Sequence, residues 1–291
     1  MSPWIIGFFA FILYPMAASL YFSFSHYNLL SSPQWAGLQN YRFMLTKDPQ
    51  FWLAIRNTAF LIAVGVPIRI VFSVATAWLL TKPKRGRGIY RTIYFMPTMA
   101  PAVAATLVFL YLFNPVFGPV NQFLRVLHFG SPLWFFSPSW SKWGLIILGL
   151  WGVGDAIIIF LAGLLDVPRH LYEAADIEGA TGPQKFRFVT LPMISPVIFF
   201  SLVIGVIEGF QYFTQAYVAS DVVNPGSNVL GQPQGSTLFY GLWLYQQGFR
   251  YFHMGYASAL AWILFLIILA CTVVLIKTQR RWVHYQGGGF R

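Results

Sequence analysis

Six apolar stretches, at residues 3–25, 59–80, 93–113, 143–165, 197–219 and 256–276, set the terms on which this chain folds. Each is long enough to cross about 30 Å of hydrocarbon as a helix of roughly 20 residues. Only 9% of the residues are charged and the mean hydropathy is +0.61, where a soluble domain carries about 25% charged residues. So little polar cover excludes a soluble enzyme, a disordered protein and a repeat solenoid. The 29 Phe, 15 Tyr and 11 Trp suit a lipid-facing wall with aromatic belts at its two interfaces. The expectation is an all-α membrane protein with six transmembrane helices. With no internal repeat, residues 1–291 read as one domain.

Local signals refine the six runs. No basic segment precedes the first and no small-residue cleavage site follows it, so it reads as a retained helix rather than a signal peptide. Pro15 interrupts the first run, and Pro97 and Pro101 the third; neighbouring helices satisfy the carbonyls such breaks free. The lone cysteine, Cys271, lies inside an apolar run, which leaves no disulfide framework and no thiol metal site.

The net charge of +11 is arranged by side. If the runs alternate, one face of the membrane receives twelve basic residues, from Lys82 to Arg91, from Arg169 to Arg187, and from Lys277 to Arg291. The other receives six: Arg42, Lys47, Arg56, Arg125, Lys142 and Arg250. Basic residues collect on the cytoplasmic side, so both termini are expected inside. The basic charge is thus an orientation signal, with contact to anionic membrane lipid the lesser reading for 82–91, and nucleic acid is not implied. The loops on the other side carry Trp35, Trp52, Trp134 and Trp140 and read as folded interfacial segments.

The loop at 166–192, between the fourth and fifth runs, is the most informative segment. Asp166 and Pro168 fit the start of a helix, as cap and first-turn residue. Leu171, Ala174, Ala175 and Glu178 then share one face. Gly179 and Gly182 stop that helix, and Pro183 opens a second that is expected to end before Pro192. Two short helices with small residues on one face make a knob able to dock into a groove of another protein.

Here the chain resembles a family. Glu173-Ala174-Ala175, then Gly179, then Val189-Thr190-Leu191-Pro192 is similar to the EAA loop of the inner-membrane permease subunits of binding-protein-dependent ABC importers. Trp35-Ala-Gly-Leu-Gln-Asn-Tyr41, Tyr94-Phe-Met-Pro97 and Gly255-Tyr-Ala-Ser-Ala-Leu260 resemble the sugar-importer, maltose-type branch. The resemblance implies a MetI-like fold and a plasma-membrane location in a bacterium or archaeon. It implies four partner chains: a second permease, two cytoplasmic ATPases that bind ATP and magnesium, and an extracytoplasmic solute-binding protein. It implies that Glu173, Ala174, Ala175, Gly179, Ala180, Leu191 and Pro192 couple to an ATPase. The family pattern also has a basic stretch ahead of the first helix, which this chain lacks, so its native start is expected upstream or that segment is absent.

No Gly-x4-Gly-Lys-[Ser/Thr] phosphate loop occurs, and the five histidines show no metal-binding spacing, so no cofactor or metal is expected on this chain. Arg69, Asp155 and Glu208 fall near the middles of runs two, four and five, where each must face protein or a wet cavity. An ion pair of Arg69 with either carboxylate explains the first two as packing. Glu208 has company: Glu208, Gln211, Tyr212 and Gln215 recur at the spacing of one helix face. Such a stripe suits a sugar, with Trp151 as a stacking residue beside glycines that close helix packing also explains. The function that follows is a non-catalytic permease half for a sugar or oligosaccharide. The alternative is an ion-coupled carrier using Asp155 and Glu208, which the expected absence of broken midplane helices disfavours. An intramembrane enzyme finds no nucleophile–base pair or metal constellation.

Overall fold

A computed structural model describes residues 2–82, 86–227 and 229–284. Lys84, Arg85 and Arg291, which entered the charge tally, and Asn228 lie outside the described residues. Three helices are long and apolar enough to cross a membrane: α1 (Ser2–Ser23), α3 (Pro49–Thr81) and α14 (Met254–Gln279). Three further spans are bent. The third run folds as α4 (Gly88–Met99) and α5 (Ala102–Leu112), at 100° to each other. The fourth folds as α7 (Ser141–Trp151) and α8 (Gly154–Leu165), at 55°. In the fifth, α11 (Ser195–Phe210) meets the preceding α10 (Gly182–Met193) at 64° and is followed, after a break, by α12 (Thr214–Val223). Counting each bent pair as one crossing gives six spans, as many as expected, with the fifth at 182–210 where 197–219 was expected.

The connecting segments hold α2 (Gln39–Thr46), α6 (Pro119–Val126), α9 (Arg169–Ile177), α13 (Tyr240–Tyr245) and a two-residue antiparallel pair, Ser25–His26 with Gln34–Trp35. They gather at two ends. At one end Asn57 Nδ2 donates to the carbonyls of Gly235 (2.8 Å) and Leu238 (3.0 Å). There too the hydroxyls of Ser141 and Ser236 lie 2.8 Å apart. At the other end Trp78 packs edge-on against Phe186, and the His284 N–H donates to Ser195 Oγ at 2.8 Å. Loops after odd spans meet each other, and loops after even spans meet each other, which is what alternate crossing produces.

Proline acts in two ways. Helix α1 continues through Pro15, which was expected to interrupt it. The turn just before, Phe9–Leu13, is a wider π-turn. The same arrangement recurs at Leu61–Gly65 before Pro67 and at Phe186–Thr190 before Pro192. A wide turn relieves the clash between the proline ring and the carbonyl four residues back. That is why α10 runs on to Met193 instead of ending before Pro192. At Pro101 there is no such turn: Ala100 is extended, with ψ 132°, and the helix breaks.

Helix α3 starts earlier than its apolar run because Asp48 and Pro49 build its first turn. The Asp48 carboxylate accepts from the N–H groups of Gln50 (2.9 Å) and Phe51 (3.2 Å), and Pro49 forfeits no bond there. Asp166, by contrast, caps nothing: it ends α8, and Pro168 precedes the first residue of α9. The core divides in two. One cluster, around Phe51, Phe135, Phe239 and Tyr240, fills the end with the long loops. The other, around Ile157, Phe160, Leu161 and Ile194, fills the end that carries 166–192.

Candidate functional site

Along α3 the first cluster stops at Leu61 and the second begins at Val74; the intervening turns border a cavity of about 760 Å³. All three broken spans open onto it, through Ala100 and Ala102, through Trp151 and Gly152, and through Gln211 and Tyr212. Broken helices were the feature whose expected absence argued against a carrier; they are present, and they converge. Their role is geometric, since an interruption frees backbone groups that a continuous helix spends on its own hydrogen bonds.

Arg69, Asp155 and Glu208 come together on this wall. The Arg69 guanidinium bonds Glu208 at 2.6 Å and stands 3.7 Å from Asp155, so it serves both carboxylates rather than choosing one. The side chains are 31%, 55% and 52% exposed, which makes the group part of the cavity lining, not a sealed packing pair. One cation against two anions leaves it net negative. Gly154 lets α8 pack closely on α4 beside this group: a Cβ there would strike the Tyr94 carbonyl and come within 2.8 Å of the Phe95 Cα.

The polar stripe is reached by another route than the one expected. Glu208 lies in α11, which ends at Phe210; Gln211 and Tyr212 fall in the break, and Gln215 lies in α12. They share no helix face, yet all four border the cavity. At the break the Tyr212 ring packs edge-on against Phe239 at 5.5 Å. Its buried hydroxyl has no hydrogen-bond partner, which is costly in a finished protein interior. Trp151 also borders the cavity, packed on Phe109 at 5.6 Å and 42% exposed.

The second candidate surface is the 166–192 knob, at the opposite end from the long loops. Gly179 adopts φ +74°, with Ala180 N–H bonded to Ala175 O (2.9 Å) and Gly179 N–H to Asp176 O (3.0 Å). Those two bonds are a Schellman close, and the left-handed residue in it favours glycine. Thr181 and Gln184 form a capping box that starts α10, a helix that takes in Gly182 rather than stopping at it. Lys185 pairs with Asp176, and Tyr172 Oη lies 2.9 Å from Thr190 Oγ1, so the two short helices are braced. Glu173, Ala174, Gly179 and Leu191 are exposed, while Ala175, Ala180 and Pro192 are half-buried.

Sequence reasoning missed four contributors. Thr98 and Phe95 line the cavity from the Pro97–Pro101 bend, whose two prolines were the available signal. Ile177, 89% exposed, and Phe188, 68% exposed, give the knob an apolar surface; apolar residues in a short basic loop were the clue. Among the described residues no group of three or more His, Cys, Asp or Glu side chains is placed to hold a metal.

Known proteins share this architecture. The family described as binding-protein-dependent transport system inner membrane component matches residues 69–283. The chain is 39% identical over 288 residues to a probable ABC transporter permease protein, YesP, of Bacillus subtilis (strain 168), across 98% of this chain and 91% of that one. It is 32% identical over 282 residues to the arabinooligosaccharides transport system permease protein AraP of the same organism, across 95% and 86%. A crystal structure of a bacterial ABC transporter involved in the import of the acidic polysaccharide alginate matches with a TM-score of 0.77 at 23% identity, over 96% of this chain and 93% of that chain. That likeness establishes the fold.

Proposed function

The chain belongs to the family of binding-protein-dependent transport system inner membrane components, and on that premise we propose that it forms half of the passage through which an ATP-driven importer moves a sugar or oligosaccharide. It is a multi-pass permease subunit and not itself an enzyme. A second permease completes the passage, two ATPases supply the energy from ATP and magnesium, and an extracytoplasmic binding protein delivers the solute. The arabinooligosaccharide relative supports a carbohydrate cargo.

The observation that carries this reading is the cavity into which three interrupted spans open. Amide, carboxylate and indole groups border it, and beside them Tyr212 keeps an unpartnered hydroxyl buried behind the wall. A sugar offers hydroxyls for the amides and carboxylates and an apolar ring face for Trp151. Both termini and the knob face the cytoplasm, as the twelve-to-six division of basic residues favours. Each ATPase grips a knob, here through Glu173, Ala174, Ala175, Gly179, Ala180, Leu191 and Pro192, and nucleotide-driven closure re-angles α10 against α11. Alternating access of the cavity follows. The test is saccharide uptake by the reconstituted four-partner complex: Gln211→Ala should lower uptake several-fold with complex yield unchanged, and unchanged uptake would contradict the assignment.

Broken helices beside two carboxylates also suit an ion-coupled carrier. Arg69 speaks against it, because a guanidinium bonded to Glu208 already occupies the place of the coupling cation.

A further inference from the structure

At the long-loop end lies a second cavity, of about 1200 Å³, that shares no lining residue with the first. Helix α2, the short strand pair, the π-turn after α13 and the start of α14 enclose it. Its charges are unbalanced. Asp48, 5% exposed, accepts hydrogen bonds from two backbone N–H groups, from Trp243 Nε1 at 2.9 Å and from Tyr256 Oη at 2.5 Å. That carboxylate is therefore fully engaged. Arg42 and Lys47 border the same cavity, are exposed, and have no acidic partner among the described residues. His26 and His253 line it too, each held by an amide, at 2.9 Å from Gln39 Oε1 and from Gln247 Oε1.

We infer that this cavity is a second saccharide site, and that the saccharide it takes carries a carboxylate. The inference rests on the permease reading above, which turns this end outward. Two unpaired cations supply charge-assisted hydrogen bonds to a uronate, and Arg42 offers a planar fork that matches a carboxylate. The exposed amide of Gln34 and the exposed ring of Tyr251 serve the sugar's hydroxyls and ring face, in a concavity as large as ligand pockets are. Concavity favours a saccharide over a flat acidic surface of a docked protein. The site captures solute ahead of the inner cavity, whose net negative charge gives an acidic sugar little to hold it there.

The experiment is calorimetric titration of the whole purified transporter, without nucleotide or binding protein, using trigalacturonate and neutral cellotriose as probes. Trigalacturonate should bind more tightly than cellotriose, lose affinity as salt rises, and lose about 10-fold or more in each of Arg42→Gln and Lys47→Gln. Arg42→Lys should recover part of the loss. Both residues are exposed, and the elution profile of each variant verifies folding. No binding of trigalacturonate, equal affinity for the two probes, or affinity unchanged in both Gln variants would overturn the assignment. So would variants that lose only association with the binding protein, which would make the cavity a protein-docking surface. ATP-dependent uptake of both probes by the wild-type transporter with its binding protein, read in parallel, tests the permease reading separately.

Discussion

Glu208→Gln separates a passage-lining role from a bracing one. The change keeps shape and hydrogen bonding, and it takes the Arg69–Asp155–Glu208 group from net negative to neutral. A hydrogen bond to a charged group contributes about 1.5–3 kcal/mol net. Here the partners are 31% and 52% exposed to a wet cavity, and Asp155 still stands 3.7 Å from the guanidinium. Solvent screening brings the expected loss down to about 1 kcal/mol, too little to unfold a protein stabilised by about 5–15 kcal/mol. The complex should therefore assemble at normal yield with altered saccharide uptake. Arg69→Met leaves two carboxylates facing each other without a cation and should be the more damaging single change. The assay is complex yield and uptake for both single variants and the double. A bracing pair predicts a different pattern: poor assembly in Glu208→Gln, partly repaired by Arg69→Met. That pattern, or wild-type uptake in all three variants, would refute the reasoning.

Tyr212→Phe removes a buried hydroxyl that has no partner in the protein, so thermal stability should hold or rise while uptake falls several-fold; a fall in stability with unchanged uptake would show that the hydroxyl serves the fold. At Gly179 nothing lies within 4 Å of an added Cβ, so a substitution meets only the backbone cost of φ +74°, about 1–2 kcal/mol. Gly179→Val should therefore insert normally yet lose ATPase co-purification, Gly179→Asn should lose less, and equal co-purification in both would remove the knob from the coupling role. In a Cys271→Ser background, a cysteine at Gly226 should react with an impermeant thiol reagent from outside and one at Gln184 only after the membrane is opened. The reverse labelling would invert the topology.

Hydrophobic run length made the spans legible, because a bilayer demands a fixed length of apolar helix whatever its neighbours. The same signal hid the bends. Within Gln211–Phe213 neither proline nor glycine marks the break, and the contact Tyr212 makes there, with Phe239, joins residues far apart in sequence. The i, i+3, i+4, i+7 spacing there named the right residues for a geometry that does not exist. Pro15 and Pro192 show the opposite failure, since a π-turn ahead of each lets the helix continue. The knob was readable because its turn chemistry is local: Gly179, Thr181 and Gln184 act on neighbours within a few residues. The cavity at the long-loop end was not, because it joins residues near 26–49 to residues near 243–256, and only the fold brings those segments together.

The most direct measurement is saccharide uptake into proteoliposomes holding this chain, its companion permease and both ATPases, with the binding protein outside and ATP supplied to the ATPase side. The account predicts uptake that requires ATP and the binding protein, that persists when proton and sodium gradients are collapsed, and that falls with Gln211→Ala. Uptake driven by an ion gradient without ATP would contradict it.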